Sequence, residues 1–166
     1  YYDHTLPHNM RGISSMMALQ KNPGITDRLP FEVRRLSPHL GVEILGVDLA
    51  GGVDDATFSA LYDAFLRYQI LLFPPQDLPP ARQVEFARHF GEVQIHVMNQ
   101  YHVDGHPELY YLSNLDANGN PNGKFPDKGT LVWHTDGSWQ RVTGQATLLF
   151  AEVAAGEGGE THFCDM

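Results

Sequence analysis

The sequence predicts a mainly antiparallel β protein with helices packed outside it, the plan of a double-stranded β-helix (jelly roll) decorated by N-terminal helices. Three observations carry that expectation. Short runs rich in β-branched and apolar residues recur along the chain, separated by clusters of Pro, Gly, Asn and Asp. Helical periodicity is confined to two segments, both before Gly91. The 166 residues, 42% of them apolar, suffice for one sizeable core and contain no sustained repeat or low-complexity tract.

In chain order, Phe31 to Leu36 and Val42 to Leu49 read as two strands joined by the turn Ser37-Pro38-His39-Leu40-Gly41. Asp54 and Asp55 cap a helix on which Phe58, Leu61, Tyr62 and Phe65 fall at i, i+3, i+4 and i+7. Ile70 to Phe73, closed by Pro74-Pro75, predicts a short buried strand. Pro79-Pro80 opens a second helix through about Phe90, ended by Gly91. Further strands are expected at Val93 to Val97, Leu109 to Ser113, Thr130 to His134 and Ala146 to Val153. The segment from Asn114 to Lys128 is so dense in turn formers that it predicts a long surface loop, of a length common among lids.

Charge narrows the partners. Twenty acidic against eleven basic residues leave a formal charge of −9, so there is no electrostatic footprint for a phosphate backbone, and nucleic acid is not an expected partner. The longest strongly apolar run, Ile70 to Phe73, is far short of the ~20 residues of a membrane span, and no membrane partner is expected. A lone Cys164 excludes a disulfide framework and a cysteine-based zinc site, and points to a reducing, cytoplasmic setting.

The sharpest local pattern is Trp133-His134-Thr135-Asp136. In an extended chain, residues i and i+2 face the same side, so an imidazole and a carboxylate two apart can converge on one ion. Completed by a second histidine, such a pair forms the facial triad of non-haem Fe(II) oxygenases, which leaves open positions for a cosubstrate and dioxygen. With nine histidines in the chain, about 0.65 H-x-D triplets are expected by chance, so the spacing alone is weak. A second triplet, His102-Val103-Asp104, runs into the turn Gly105-His106-Pro107 with no apolar strand leading in, and His134/Asp136 is preferred for that reason. Without a metal, the same residues would be a solvated strand end.

Beyond His134 come the predicted strand Ala146 to Val153 and then Gly158-Gly159-Glu160-Thr161-His162-Phe163-Cys164-Asp165-Met166. Earlier in the chain stand Leu40-Gly41-Val42-Glu43-Ile44-Leu45-Gly46-Val47-Asp48-Leu49, the strand Ile70 to Phe73 and His89-Phe90-Gly91-Glu92. In order and spacing these resemble the taurine dioxygenase and 2,4-dichlorophenoxyacetate dioxygenase family of Fe(II)/2-oxoglutarate enzymes, over about residues 31 to 166. The resemblance implies an oxygenase that oxidises a small, anionic organic substrate with dioxygen and releases succinate and CO2. It implies Fe(II) and 2-oxoglutarate as cofactors, His134 and Asp136 as iron ligands, and Thr161 as the hydroxyl on the distal carboxylate of 2-oxoglutarate. His96 stands where such enzymes place a substrate-contacting histidine, with a half-buried strand histidine as the plain alternative. Tyr101, His102 and Asn114 are expected to border the same cavity by position alone.

The family's second histidine ligand and its cosubstrate arginine have no counterpart after Thr161. Residues 2 to 14, however, resemble the family's closing segment, which makes Arg11 the candidate for the carboxylate of cosubstrate or substrate, since a planar guanidinium fork suits a bidentate anion. Residues 1–16 are therefore expected to be a displaced C-terminal segment or an extension, and 17–166 a jelly-roll domain incomplete at its C-terminal end. An acidic chain with an anionic substrate must gather Lys124, Lys128, Arg141 or Arg11 near the cavity. A homo-oligomer is compatible with all of this. The competing reading is a non-catalytic jelly-roll fragment that binds a metal or small ligand, and a cupin-like zinc protein ranks below it.

Overall fold

The computed structural model describes residues 29–116, 118–121 and 132–165. Its ordered part begins with β1 (Glu32–Arg35) and β2 (Val42–Leu45), paired antiparallel from Glu32↔Leu45 to Arg35↔Val42. The connecting turn is closed chiefly by the Ser37 side chain. Ser37 Oγ accepts from the backbone N–H of His39 (3.2 Å) and Leu40 (3.0 Å), and Leu36 N–H reaches the Gly41 carbonyl at 3.0 Å. Gly41 sits at φ +83°, where a side chain would be strained.

Helix α1 (Asp55–Tyr68) starts where Asp54 accepts from Thr57 N–H at 2.7 Å. It buries Leu61, Ala64 and Tyr68, one face at spacings of three and four. Gln69, in the left-handed region at φ +66°, turns the chain into β3 (Leu71–Leu72), which lies parallel to β2 with Val42↔Leu71. β2 is thus central, and its Val42 and Ile44 are fully buried against Leu49, Leu61, Ala64, Tyr68 and Phe86. A side-chain amide supplements the sheet: Gln76 accepts from Leu49 N–H at 2.8 Å and donates to the Val47 carbonyl at 3.0 Å.

Helix α2 (Pro80–Arg88) opens on Pro79-Pro80 as expected and finishes in a tightened turn, with His89, Phe90 and Gly91 N–H groups bonded to Phe86, Ala87 and Arg88 carbonyls. Its end joins α1 through aromatic rings, Phe58 stacking on His89 at 4.7 Å and meeting Phe90 edge-on at 5.0 Å. A 3-10 turn (Asn99–Tyr101) then leads into the antiparallel pair β4 (His102–Val103) and β5 (His106–Tyr110), held to α2 by the Arg88–Glu108 ion pair at 2.9 Å.

Several expected strands are not strands. Residues 93–97, 132–134 and 146–153 are irregular, because a strand exists only where a ladder partner takes its N–H and C=O groups, and among the described residues these segments have none. The strand expected at 109–113 lies earlier, at His106–Tyr110, and begins inside what reads as a turn, and His102 lies in the strand β4 that precedes that turn. β3 is shorter than expected and not fully buried, Leu72 being 47% exposed. The described residues therefore form a layer of strands and helices without a closed barrel. No helix among them is long and apolar enough to cross a membrane. Residues 1–16, Arg11 and the cations Lys124 and Lys128 lie outside the described residues.

Candidate functional site

His134 and Asp136 converge, although not from a strand. The chain is irregular at 132–135 and turns at Asp136, with Gly137 at φ +64° and Gln140 N–H bonded to the Gly137 carbonyl at 3.0 Å. His134 Nδ1 lies 2.8 Å from the Val132 carbonyl, an acceptor only, so Nδ1 donates. His134 Nε2 lies 3.2 Å from Asp136 Oδ1.

As an ion pair this contact contributes little, since the side chains are 44% and 58% exposed. As a donor set it fits a metal. A backbone carbonyl on Nδ1–H orients the ring in the way common among histidines that bind a metal through Nε2. Two donors bound at about 2.1 Å and at right angles around one ion lie about 3.0 Å apart, close to the observed spacing. Among the described residues no group of three His, Cys, Asp or Glu side chains is placed to hold an ion.

A second cluster gathers His96, Tyr101 and His102. The His96 ring lies parallel to Tyr110, 4.8 Å between centroids and 5° between planes, and Tyr101 meets Tyr110 edge-on at 6.4 Å. His102 Nε2 is 2.7 Å from the His96 carbonyl, and Met98 N–H donates to His96 Nδ1 at 3.2 Å. Tyr110 was not legible as part of this group. The available signal was the alternation His106, Glu108, Tyr110 along β5, which puts polar and aromatic groups rather than a core stripe on one face.

Among the described residues, side-chain bonds tie the segment 132–165 to the N-terminal layer. Gln145 donates to the Tyr62 hydroxyl, Gln94 reaches the Val142 carbonyl at 3.5 Å, and Tyr111 donates to Glu152 at 2.8 Å. The Tyr111 hydroxyl is held above its ordinary value of 10.0, because the hydrogen bond to Glu152 and the charge of that carboxylate favour the neutral phenol. Thr161 and Arg141 are exposed, and among the described residues no hydrogen bond or ion pair joins Thr161 to His134 or Asp136. Asn114 is exposed, at the edge of the loop where the Asp116 carboxylate accepts from Asn118 and Asn120 N–H groups.

Residues 32–166 match the profile of the taurine catabolism dioxygenase TauD, TfdA family. An (S)-phenoxypropionate/alpha-ketoglutarate-dioxygenase of Delftia acidovorans is 33% identical over 136 residues, covering 76% of this chain and 44% of that protein. Its counterpart in Sphingobium herbicidovorans is 31% identical, over 82% of this chain and 45% of that protein. A crystal structure of a taurine dioxygenase from Burkholderia xenovorans is 36% identical over 46% of this chain and 27% of that one, with a TM-score of 0.42. The chain thus spans less than half the length of the curated relatives it matches. With the match running through both the N-terminal layer and the His134/Asp136 pair, this chain belongs to the taurine catabolism dioxygenase TauD, TfdA family.

Proposed function

We propose that the chain carries part of the jelly-roll domain of an Fe(II)/2-oxoglutarate-dependent oxygenase, with a small organic anion as substrate and a cytoplasmic location. The observation that carries the reading is the convergence of His134 Nε2 and Asp136 Oδ1 at 3.2 Å, with Nδ1 committed to a backbone carbonyl. His134 and Asp136 are the residues that would hold the iron. When bound, iron and 2-oxoglutarate supply the activation of dioxygen and the oxidation of a substrate carbon, with succinate and CO2 as co-products. In this reading Thr161 and Arg11 bind carboxylate oxygens, the hydroxyl by one hydrogen bond and the guanidinium by two. His96 and Tyr101 contact the substrate. The substrate class is supported by relatives named for phenoxypropionate, a sulfonate and a sulfate ester, all anions.

The test is the weak visible charge-transfer band that Fe(II) and 2-oxoglutarate give only when bound together. His134→Ala and Asp136→Ala are expected to abolish it while leaving the far-UV circular dichroism unchanged, because both side chains are exposed and neither belongs to the core. His102→Ala should keep the band. Loss of iron in His102→Ala with retention in His134→Ala would mean that the other H-x-D triplet is the ligand pair. The one observation favouring a non-catalytic metal- or ligand-binding fragment is that only two candidate ligands converge among the described residues. A chain that binds iron yet never forms the 2-oxoglutarate band would support that alternative.

A further inference from the structure

The His96 cluster contains more hydrogen-bonding information than a substrate contact requires. A backbone N–H can only donate, so the Met98 N–H at 3.2 Å requires an unprotonated Nδ1 on His96. A proton there would set two donors against each other. A carbonyl can only accept, so the 2.7 Å contact to the His96 carbonyl requires a proton on His102 Nε2. The two bonds act on the same short bend. The His102 tie holds the carbonyl of residue 96, the peptide group that sets how residue 98 turns back on the ring, in the manner of a side-chain-closed Asx turn. The third restraint comes from His102's own cross-strand partner: Tyr110, paired with His102 between β5 and β4, covers one face of the His96 ring.

We propose that His102 is a positioning residue. Through the carbonyl of residue 96 it fixes the His96 ring as the neutral tautomer protonated on Nε2. Residue 96 then presents an uncharged hydrogen-bond donor, suited to a carboxylate, sulfonate or ether oxygen and unsuited to a cation. That such a ligand is the substrate rests on the dioxygenase reading above; the tautomer and its dependence on His102 do not.

The experiment is long-range 1H–15N correlation spectroscopy of the histidine rings in the full 166-residue chain, above the ordinary histidine titration range, with His96→Gln identifying the His96 signals. Wild type should show His96 Nδ1 unprotonated and Nε2 protonated. His102→Phe, which keeps an aromatic ring and removes the donor, should give exchange-averaged nitrogens, and His102→Gln, which restores an N–H donor, should return the wild-type pattern. A wild-type ring protonated on Nδ1, or a His102→Phe spectrum identical to wild type, would overturn the proposal. If His102→Phe fails to fold, recovery of the pattern in His102→Gln but not in His102→Glu, an acceptor of the same length, decides the matter in the same way. Neither metal nor cosubstrate enters these readings, so a chain that never chelates iron would sink the dioxygenase reading while its ring signals still test the role of His102.

Discussion

Thr161 and Asp54 show two ways in which a single side chain can be tested. Thr161 is exposed, and the role proposed for it rests on its place in Gly158-Gly159-Glu160-Thr161, so the informative substitution removes the hydroxyl and keeps the shape. Thr161→Val should weaken 2-oxoglutarate binding by about 1–3 kcal/mol, the cost of leaving one carboxylate oxygen without its donor. Unchanged affinity in a calorimetric titration would remove Thr161 from the site. Asp54 caps α1, and the hydrogen bond from the Thr57 N–H lowers its pKa below the ordinary 3.8. A carboxylate depressed in the folded chain contributes stability above its unfolded value, and that contribution is lost as pH falls below 3.8 through the folded value. Asp54→Asn keeps the acceptor without the ionisation. Its melting temperature should therefore fall less steeply than that of wild type as pH drops below 3.8, and parallel curves would exclude this cap as a source of acid sensitivity.

Among the elements, those that close locally were legible and those that depend on distant partners were not. The β1–β2 turn is written in Ser37 and Gly41, the start of α1 in Asp54, and the start of α2 in Pro79-Pro80; each acts within five residues of itself. The strands expected at 93–97 and 146–153 have the right composition, but a strand also needs a neighbour, and composition does not name one. The approach of His134 to Asp136 was legible because its geometry is set within three residues, by a carbonyl and a turn. The His96 cluster was legible only in part, since Tyr110 reaches it across fourteen positions through a hairpin whose register Gly105 and the bulge at His102/Val103 decide. Gln76 is the clearest long-range device that sequence reading passes over, a polar residue in a Pro-rich loop that closes two backbone bonds 27 and 29 positions away. Gln76→Leu should cost about 1–3 kcal/mol in a denaturant titration, because it leaves a part-buried N–H and C=O unpaired. A change within error would mean that water replaces the amide.

At the scale of the whole molecule, the packed core and the candidate site occupy different parts of the chain. Buried residues run from Val42 to Phe86, while His134, Asp136 and Thr161 lie on the segment 132–165, which carries exposed Trp133, Trp139, Val142, Leu149 and Val153 and meets the N-terminal layer at Gln145, Val142, Glu152 and the partly buried Leu148. The geometry of the His134/Asp136 pair rests on local turns rather than on packing. Under the proposed reading, the two ligands that converge among the described residues would by themselves leave most of an ion's coordination to water, so iron should bind weakly and coupled succinate formation by the 166-residue chain should be low. A shortfall in ligand number can be met from solution. Added imidazole, a neutral nitrogen donor of the missing type, should strengthen the Fe(II)/2-oxoglutarate band in wild type and leave Asp136→Ala dark, since a nitrogen ligand does not replace the carboxylate. Full band intensity and succinate yield without imidazole would instead mean that a histidine of the chain, His4, His8 or His162, already serves as third ligand. Substituting those three by alanine one at a time, with iron affinity as the readout, would then identify it.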